Sequence, residues 1–508
     1  MFESYFFDKR AMINYRVFRV MKALEDTNFT VNRLSAETQL SYSQAYNAYQ
    51  DILNGLARLS GQPADATAEF STLSAGVTVD RYRFQLLQDS MAFQFYDYAF
   101  RTQTPNVHDF CKSRDYSIST LRRRIDPFKT YLQSLGLSLN ASTWAVEGDE
   151  LQIRLAMLTF FQLAYRGAGW PFASQNLQVV QGLYQSISED ASQQWFPAPR
   201  TATKQILLTL AICWMRMQFG HVLPPNAKLT KLFADKDAQP LPVVFTSERF
   251  PELNAVALTT ECAAYYFLRL HFLTIEDTPD ALDTWLIDQF DEKTDPVGAF
   301  VAGLINTLQT HERASRPDAP ARDHTVLRAN LLRCAFTFLV LQGGFSKRLD
   351  FYPEQMTGNA RGQLRTLVDQ YFTMLRLDEP AGVFITYQAD MVSLLCDIVA
   401  ADFPGLNADH QLTVTVLIEP GTFATRDLMS FLERIHFVTI KLPDAAQPPD
   451  VVITTLTSDI VVKHFYTPAR LKNTQVIGWH NEAGDNDFFS LYSALCDAHD
   501  QQLKLLSE

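Results

Sequence analysis

The segment that most limits the fold of this chain is residues 107–132, VHDFCKSRDYSISTLRRRIDPFKTYL. Its pattern predicts a short helix, a tight turn and a second helix that begins at Ser117. Apolar residues of the second helix recur at steps of four and three, which predicts one buried stripe made of Leu121, Ile125, Phe128, Leu132 and Leu135. Two helices of this kind around a tight turn are the plan of a helix-turn-helix unit.

The second helix carries three consecutive arginines away from its apolar stripe. Arg122 and Arg123 point outward, and Arg124 flanks the stripe. A guanidinium group can bind a phosphate or the edge of guanine through two parallel hydrogen bonds. Helix N-terminal amides also favour phosphate. We therefore predict contacts with duplex DNA from Ser117, Ser119, Thr120, Arg122, Arg123 and Arg124.

Charge is unevenly distributed along the chain, whose formal net charge is −12. Residues 1–135 contain 16 Lys and Arg against 14 Asp and Glu, a net charge of +2, and the remainder has a net charge of −14. Only the N-terminal quarter can approach a polyanion without strong repulsion. DNA contacts are therefore expected there, whereas the acidic remainder is expected to face proteins or signals.

A similar arrangement precedes this unit. Residues 14–26 have a helical apolar pattern, and Thr30 caps the short helix that follows. Ser41 and Gln44 form a capping box, which opens a third helix that runs to about Leu59. The pattern predicts a first helix-turn-helix unit.

The outer face of that third helix is polar and aromatic. No basic cluster accompanies it, so a packing role is the alternative to direct DNA contact. Residues 61–80 are predicted to form a linker and a β-wing. The residues of the helix that we expect to contact DNA are Tyr42, Ser43, Tyr46, Asn47 and Gln50.

The rest of the chain divides into a helical region and a mixed region. Residues 151–402 are helical by apolar period, with an exposed linker at 312–323. After Asp409, apolar strands alternate with helices, which is typical of a small parallel α/β domain.

Several classes of function have little support. The six cysteines are scattered without a CxxC pair, which argues against a zinc site or disulfide framework and fits a reducing compartment. No GxSxG or GKS/T loop is present, and Gly148-Asp149-Glu150 is better explained as a turn before a helix than as an acid–base or metal site. The sequence therefore predicts neither an enzyme nor a cofactor.

No membrane association is expected from the sequence. The most apolar segment, residues 206–215, has about half the length that a bilayer requires. The N-terminus has no signal-peptide core. We expect a cytoplasmic protein.

The order of these parts resembles the Mga/AtxA family of Gram-positive transcription regulators over essentially the whole chain. The most specific motif is YSISTLRRRIDPFKTYLQSLGL followed by VEGDELQIRLAMLTFFQLAY. In it, Ser117, Arg124, Gly148-Asp149-Glu150 and Ile153-Arg154 match the family pattern.

The resemblance implies a multidomain, mainly α fold. It comprises two N-terminal, winged helix-turn-helix units, two all-α bundles like phosphotransferase-system regulation domains, and a C-terminal parallel α/β domain like enzyme IIB. The expected boundaries are 1–66, 67–165, 166–290, 295–402 and 410–508.

The resemblance also implies regulation. Regulation domains of this kind are phosphorylated on histidine by phosphotransferase-system phosphocarrier proteins, and the candidates here are His221, His271 and His324. True enzyme IIB holds a phosphocysteine after its first strand, where this chain has residues 419–423 without cysteine, and Cys496 lies far away on the last helix. The C-terminal domain is therefore expected to pair subunits into a homodimer rather than transfer phosphate.

The resulting prediction is a DNA-binding transcription regulator tuned by histidine phosphorylation and dimerisation. One alternative is an RNA-binding antiterminator, although such proteins begin with a small β-rich domain and this N-terminus is helical. Another is a sensor or scaffold in which the helix-turn-helix units only pack. Salt-dependent binding to duplex DNA separates this last alternative from the leading prediction.

Overall fold

The protein is described here by a computed structural model. It covers residues 2–24, 30–61, 70–188, 200–233, 241–274, 278–315, 323–342, 362–403, 406, 411–418, 423–435, 437–442, 448–456, 474–480 and 484–507. The chain forms two compact units. One contains Met1–Gln289 with Arg333–Tyr352, and the other contains Phe290–Leu332 with Pro353–Glu508.

The first helix-turn-helix unit follows its predicted plan. After a short 3-10 helix at Phe2–Tyr5, its helices are α1 (Lys9–Ala23), α2 (Val31–Thr38) and α3 (Tyr42–Ser60). The Thr30 side chain accepts a hydrogen bond from the Arg33 amide at 3.3 Å. The predicted capping box of Ser41 and Gln44 is present in both directions at the start of α3.

The segment after α3 differs from its prediction. The expected β-wing is wrong for the described residues 70–80, which form α4 (Phe70–Ser74) and the start of α5 (Val79–Gln88). The Thr78 side chain accepts a hydrogen bond from the Arg81 amide at 3.1 Å, so it caps α5 where a strand was expected. Residues 62–69 of the expected linker lie outside the described residues.

A second helix-turn-helix unit follows, and this one has a wing. A hairpin pairs Leu139 with Val146 in antiparallel register. Gly148 follows it at φ +146°, where a Cβ atom would come within 2.6 Å of the Leu137 side chain. The elements are α6 (Met91–Arg101), α7 (Val107–Arg114), α8 (Ile118–Ser134), β1 (Ser138–Leu139), β2 (Val146–Glu147) and α9 (Glu150–Ala164).

Helix α8 continues through Pro127 without interruption. Four of the five predicted stripe residues are buried, namely Leu121, Ile125, Phe128 and Leu132. The fifth, Leu135, is half-buried at the end of the helix. The predicted amphipathic helix is therefore correct.

The remaining part of the chain up to residue 402 is helical where it is described. A 3-10 helix at Pro380–Tyr387 leads directly into the last of its helices. These helices are α10 (Ser174–Ser188), α11 (Arg200–Gln218), α12 (Ala227–Phe233), α13 (Ala255–Arg269), α14 (Ala281–Gln289), α15 (Pro296–Ser315), α16 (Thr325–Leu341), α17 (Gly362–Met374) and α18 (Gln388–Val399).

The C-terminal region contains the predicted parallel sheet. Its four strands lie in the order β4-β3-β5-β6, and all neighbouring pairs are parallel. Both helices contribute to an apolar core on the sheet that includes Leu428, Leu432, Leu491 and Leu495. The elements are β3 (Leu412–Leu417), α19 (Phe423–Glu433), β4 (Val438–Ile440), β5 (Val451–Thr454), β6 (Gln475–Gly478) and α20 (Asp485–Ser507).

A buried ionic network joins α9 of the second helix-turn-helix unit to helices α11 and α13. The fully buried Arg154 guanidinium is paired with Glu261, also fully buried, and donates to Glu150 at 2.9 Å and to the His221 carbonyl at 2.9 Å. Arg216 donates to both carboxylate oxygens of Glu150, at 2.9 and 2.6 Å. Two positive and two negative side chains therefore compensate one another away from water.

We predict that Glu261→Gln destabilises the protein, because the buried Arg154 charge loses its most buried counter-ion. Removing one partner of a buried pair costs about 3–5 kcal/mol, and the retained Glu150 favours the lower end. Urea unfolding followed by tryptophan fluorescence measures the change. The exposed Glu252 provides a matched control, since Glu252→Gln is expected to change stability by less than about 0.5 kcal/mol. Equal stabilities of the two variants would contradict the role given to the network.

Candidate nucleic-acid interface

The start of α8 is fixed by its own hydroxyl groups. The Ser117 hydroxyl oxygen accepts from the Thr120 amide at 3.1 Å and lies 2.8 Å from the Thr120 hydroxyl and 3.1 Å from that of Ser119. Ser117 and Ser119 are exposed, and Thr120 is half-buried. The predicted cap is therefore present, and the first turn faces solvent with amide groups that favour anions.

The three predicted arginines are all exposed on the outer face of α8. The apolar stripe of the same helix is turned inward, because positions three and four apart share one face. The surface formed by Arg122, Arg123 and Arg124 is called the arginine face below. It is the arrangement that contact with a nucleic-acid backbone requires.

The structure gives each arginine a different environment. The Cζ atom of Arg122 lies 5.6 Å from the ring centroid of Trp144, which belongs to the wing. Arg124 faces Asp8 at 3.9 Å, with both side chains about half exposed. Within the described part of the chain, Arg123 has no ion-pair partner. Such long, exposed pairs contribute little, so Arg123 and Arg124 remain available to an external anion.

The outer face of α3 presents aromatic and amide groups. Tyr42 and Tyr46 are 55% and 45% exposed, and their rings stack at 6.3 Å. Ser43, Asn47 and Gln50 are exposed beside them. The predicted residues of the first unit therefore share one accessible surface. Its chemistry suits hydrogen bonds and stacking rather than charge neutralisation.

A cleft of about 1240 Å³ separates the two helix-turn-helix units. Arg123 and Arg124 line one side of it. On the opposite side, Arg10 donates to Asp51 through two nitrogens at 2.6 and 2.5 Å. This pairing, chiefly through its hydrogen bond, holds the pKa of Asp51 below its ordinary value. The far side is thus charge-compensated, whereas the α8 side keeps excess positive charge.

His221 is exposed just after α11, and the amide of this residue donates to the Arg216 carbonyl at 3.0 Å. Desolvation by the surrounding protein, and then the positive charge of Arg216, lower the pKa of His221 below its ordinary value of 6.5. The imidazole is therefore neutral near pH 7, as a nucleophilic ring nitrogen must be.

The other two predicted histidines are less accessible. His271 is 3% exposed and its ring contacts Phe267 at 5.5 Å. The His324 side chain is 10% exposed, with its Nδ1 atom 3.4 Å from an Asp402 oxygen and its ring stacked on Phe403. Modification of His271 requires opening of the core, whereas His324 is oriented by a carboxylate at the edge of one.

The acidic segment before α9 has a structural role. The Asp149 side chain accepts from the Gln152 amide at 3.0 Å and caps α9, while Glu150 belongs to the buried ionic network. Among the residues that the structure describes, no group of three His, Cys, Asp or Glu side chains is placed to hold a metal ion. The loop at 419–422 that replaces the phosphocysteine loop lies outside the described residues.

One helical stretch in the described residues, Pro380–Val399, is long and apolar enough to cross a membrane by length and composition alone. The sequence-based expectation that no such run exists was therefore too strong. The stretch contains Asp390 and Asp397, and Phe384 and Leu395 within it are fully buried in the protein. Core helices of soluble proteins have the same properties, so the stretch is weak evidence for a membrane span.

Two residues of this interface were missed by sequence reasoning. Trp144 packs against Arg122 although it lies in the wing, and Asp8 faces Arg124 although it caps α1. The strands of the wing are two residues long, too short for a periodic pattern. The available signals were the isolated tryptophan in NASTWA and the acidic residue before α1.

Comparison with known families places the interface within a recognised domain. Residues 77–161 match the family model described as the Mga helix-turn-helix domain. The matched segment contains α6 to α9, the arginine face and the wing. No curated protein matches the chain.

Proposed function

Because residues 77–161 form an Mga helix-turn-helix domain, which makes the chain a member of the Mga/AtxA family of regulators, we propose that it regulates transcription by binding duplex DNA through α8. The family match confirms the resemblance expected from the sequence. It supports a DNA-binding transcription regulator rather than an enzyme, and the proposed location is the cytoplasm.

The observation that carries this proposal is the arginine face. It lies on the second helix of a helix-turn-helix domain, within the part of the chain that has a net positive charge. Residues 118–126 form a rod of roughly 13 Å, which matches a major groove about 12 Å wide. Arginine forks can contact both phosphates and guanine edges from that position.

The first helix-turn-helix unit is proposed as a second, weaker contact. The stacked tyrosines Tyr42 and Tyr46, with Ser43, Asn47 and Gln50, are exposed on α3. Amide side chains can bind adenine edges or phosphates, and aromatic rings can contact sugars and thymine methyl groups. Two linked contacts raise the overall affinity through their effective concentration.

We predict that Arg122→Ala/Arg123→Ala weakens binding to promoter DNA about ten- to a hundredfold, because each good arginine contact is worth about 1–3 kcal/mol. Two lost phosphate contacts would also lower the slope of log affinity against log salt by about two. Electrophoretic mobility shift over a salt series, with duplexes from the region upstream of the gene, measures both quantities.

The matched control is Arg313→Ala/Arg376→Ala, which removes two exposed arginines from the other compact unit. This variant has the same net charge and is expected to bind within about twofold of the wild type. Equal affinity of the wild type and Arg122→Ala/Arg123→Ala would show that α8 does not bind DNA. An equal loss in both variants would reduce the effect to net charge.

We further propose that the helical region contains two phosphotransferase-system regulation domains, at 166–290 and 295–402, and that phosphocarrier proteins phosphorylate them on histidine. His221 is the strongest candidate, because it is exposed and its lowered pKa keeps the imidazole neutral. Added phosphate carries a charge of about −1.5 to −2. At His221 this charge would arise beside Arg216, which is already paired with Glu150.

His324 is the second candidate. Asp402 can accept a proton from Nδ1 at 3.4 Å, which would leave Nε2 as the nucleophile. His271 is the weakest candidate, since its ring is buried in the core.

We predict that incubation with phosphoenolpyruvate and the general phosphotransferase proteins labels His221 first, His324 more slowly and His271 not at all, following their exposure. Mass spectrometry under conditions that preserve phosphohistidine locates the label. His311 is exposed on α15 and serves as the matched surface histidine, which is expected to remain unmodified. Label on His271 alone, or equal label on His311, would contradict the assignment.

The C-terminal domain at 410–508 is proposed as an enzyme IIB-like dimerisation domain. Two large apolar side chains on α20, Phe489 and Tyr492, are 73% and 43% exposed. They are three residues apart and therefore share a helix face. An exposed aromatic pair of this kind is typical of the centre of an interface between subunits.

We predict that the chain sediments as a dimer and that Phe489→Ser/Tyr492→Ser shifts it to monomer, because the loss removes the aromatic centre of the interface. Analytical ultracentrifugation measures the change. Met374→Ser/Leu377→Ser removes two apolar side chains that are 58% and 83% exposed outside this domain, and it should leave the dimer intact. A monomeric wild type, or a dimer that survives the aromatic substitutions, would refute this interface.

A further inference from the structure

The wing, residues 138–147, places a tryptophan beneath the arginine face. The Trp144 ring is only 7% exposed, and it packs edge-to-face with Phe95 of α6 at 5.8 Å. The Cζ atom of Arg122 lies over the same ring, 5.6 Å from its centroid. The indole therefore connects the core of the domain to one of the three exposed arginines.

The backbone of the wing is strained at this residue. Trp144 has φ +63°, a conformation that glycine and asparagine adopt readily and bulky residues avoid. The turn holds it there: the Trp144 amide donates to the Asn140 carbonyl at 3.0 Å. The Asn140 side chain in turn accepts from the amides of Ser142 and Thr143 and donates to Glu147 at 2.7 Å. Strain maintained by so many contacts is characteristic of binding sites.

The stacking distinguishes Arg122 from its two neighbours. In the described residues, Arg123 has neither an ion-pair nor a stacking partner, and Arg124 has only the long contact with Asp8. A guanidinium stacked on an aromatic face loses rotamer freedom, yet the N–H donors in its own plane remain free. Arg122 is thus held in one orientation, whereas Arg123 can adapt to a phosphate.

We propose that Trp144 is a positioning residue for sequence recognition: it holds the Arg122 guanidinium so that its fork donates to the major-groove acceptors of a guanine. This inference rests on the proposed function, since it assigns separate tasks to the residues of the arginine face. Arg123 and Arg124 contact phosphates and supply affinity for any duplex. Arg122 supplies discrimination between sequences, which requires a fixed planar donor pair.

The test uses the full-length protein and two duplexes. One is selected by the wild-type protein from a pool with a randomised centre, and the other is a scrambled version of it. Trp144→Leu keeps an apolar side chain but removes the aromatic face. We expect it to lower the ratio of selected to scrambled affinity about five- to tenfold, because a mobile Arg122 loses most of one base contact. Affinity for the scrambled duplex and the salt slope should stay unchanged.

A double-mutant comparison separates positioning from simple folding of the wing. If Trp144 acts through Arg122, adding Trp144→Leu to Arg122→Ala causes no further loss in the affinity ratio. If Trp144 only stabilises the wing, the substitution costs as much in the Arg122→Ala background as in the wild type, and scrambled-duplex affinity falls too. That additive result would overturn the proposal.

Arg122→Lys provides the test if Trp144→Leu does not fold. The exposed lysine keeps the charge but lacks the planar fork, so we expect retained scrambled-duplex affinity and the same drop in the ratio. An unchanged ratio would overturn the proposal. Failure of the proposed function looks different: Arg122→Ala/Arg123→Ala then binds every duplex as the wild type does, and this inference falls with it.

Discussion

The burial of one stripe of α8 against α6 is the constraint on which the interface depends. Leu121, Ile125 and Phe128 are almost completely buried, and the Tyr96 hydroxyl donates to the Ile125 carbonyl at 3.1 Å. Because the helical period fixes the opposite face, burying this stripe turns the arginine face to solvent. No separate feature is needed to expose it.

Two further contacts connect α8 to its surroundings in different ways. The wing reaches Arg122 through Trp144, and this contact is local and partly strained. The ionic network of Arg154 and Glu261 ties α9, which directly follows the wing, to the helices of the same compact unit. A change at the exposed His221, whose carbonyl accepts from Arg154, would therefore act on the helix that anchors the wing.

Local physical chemistry explains how much of this could be predicted. The period of apolar residues predicted α8 and its stripe, hydroxyl caps predicted the starts of α2, α3 and α8, and β-rich runs predicted the parallel sheet. The wing was misplaced because two-residue strands carry no period, and Thr78 caps a helix where a strand was expected. The contacts of Trp144 and Asp8 were missed because each joins residues distant in sequence, which only tertiary packing brings together.

The central claim is that the arginine face lies against duplex DNA while the acidic remainder does not. Chemical modification of arginine by phenylglyoxal, mapped by tandem mass spectrometry with and without promoter duplex, tests it residue by residue. The account predicts that Arg122 and Arg123 react in the free protein and become protected by DNA, whereas Arg313 and Arg376 react equally in both states. Undiminished modification of Arg122 and Arg123 in the DNA-bound protein would contradict it.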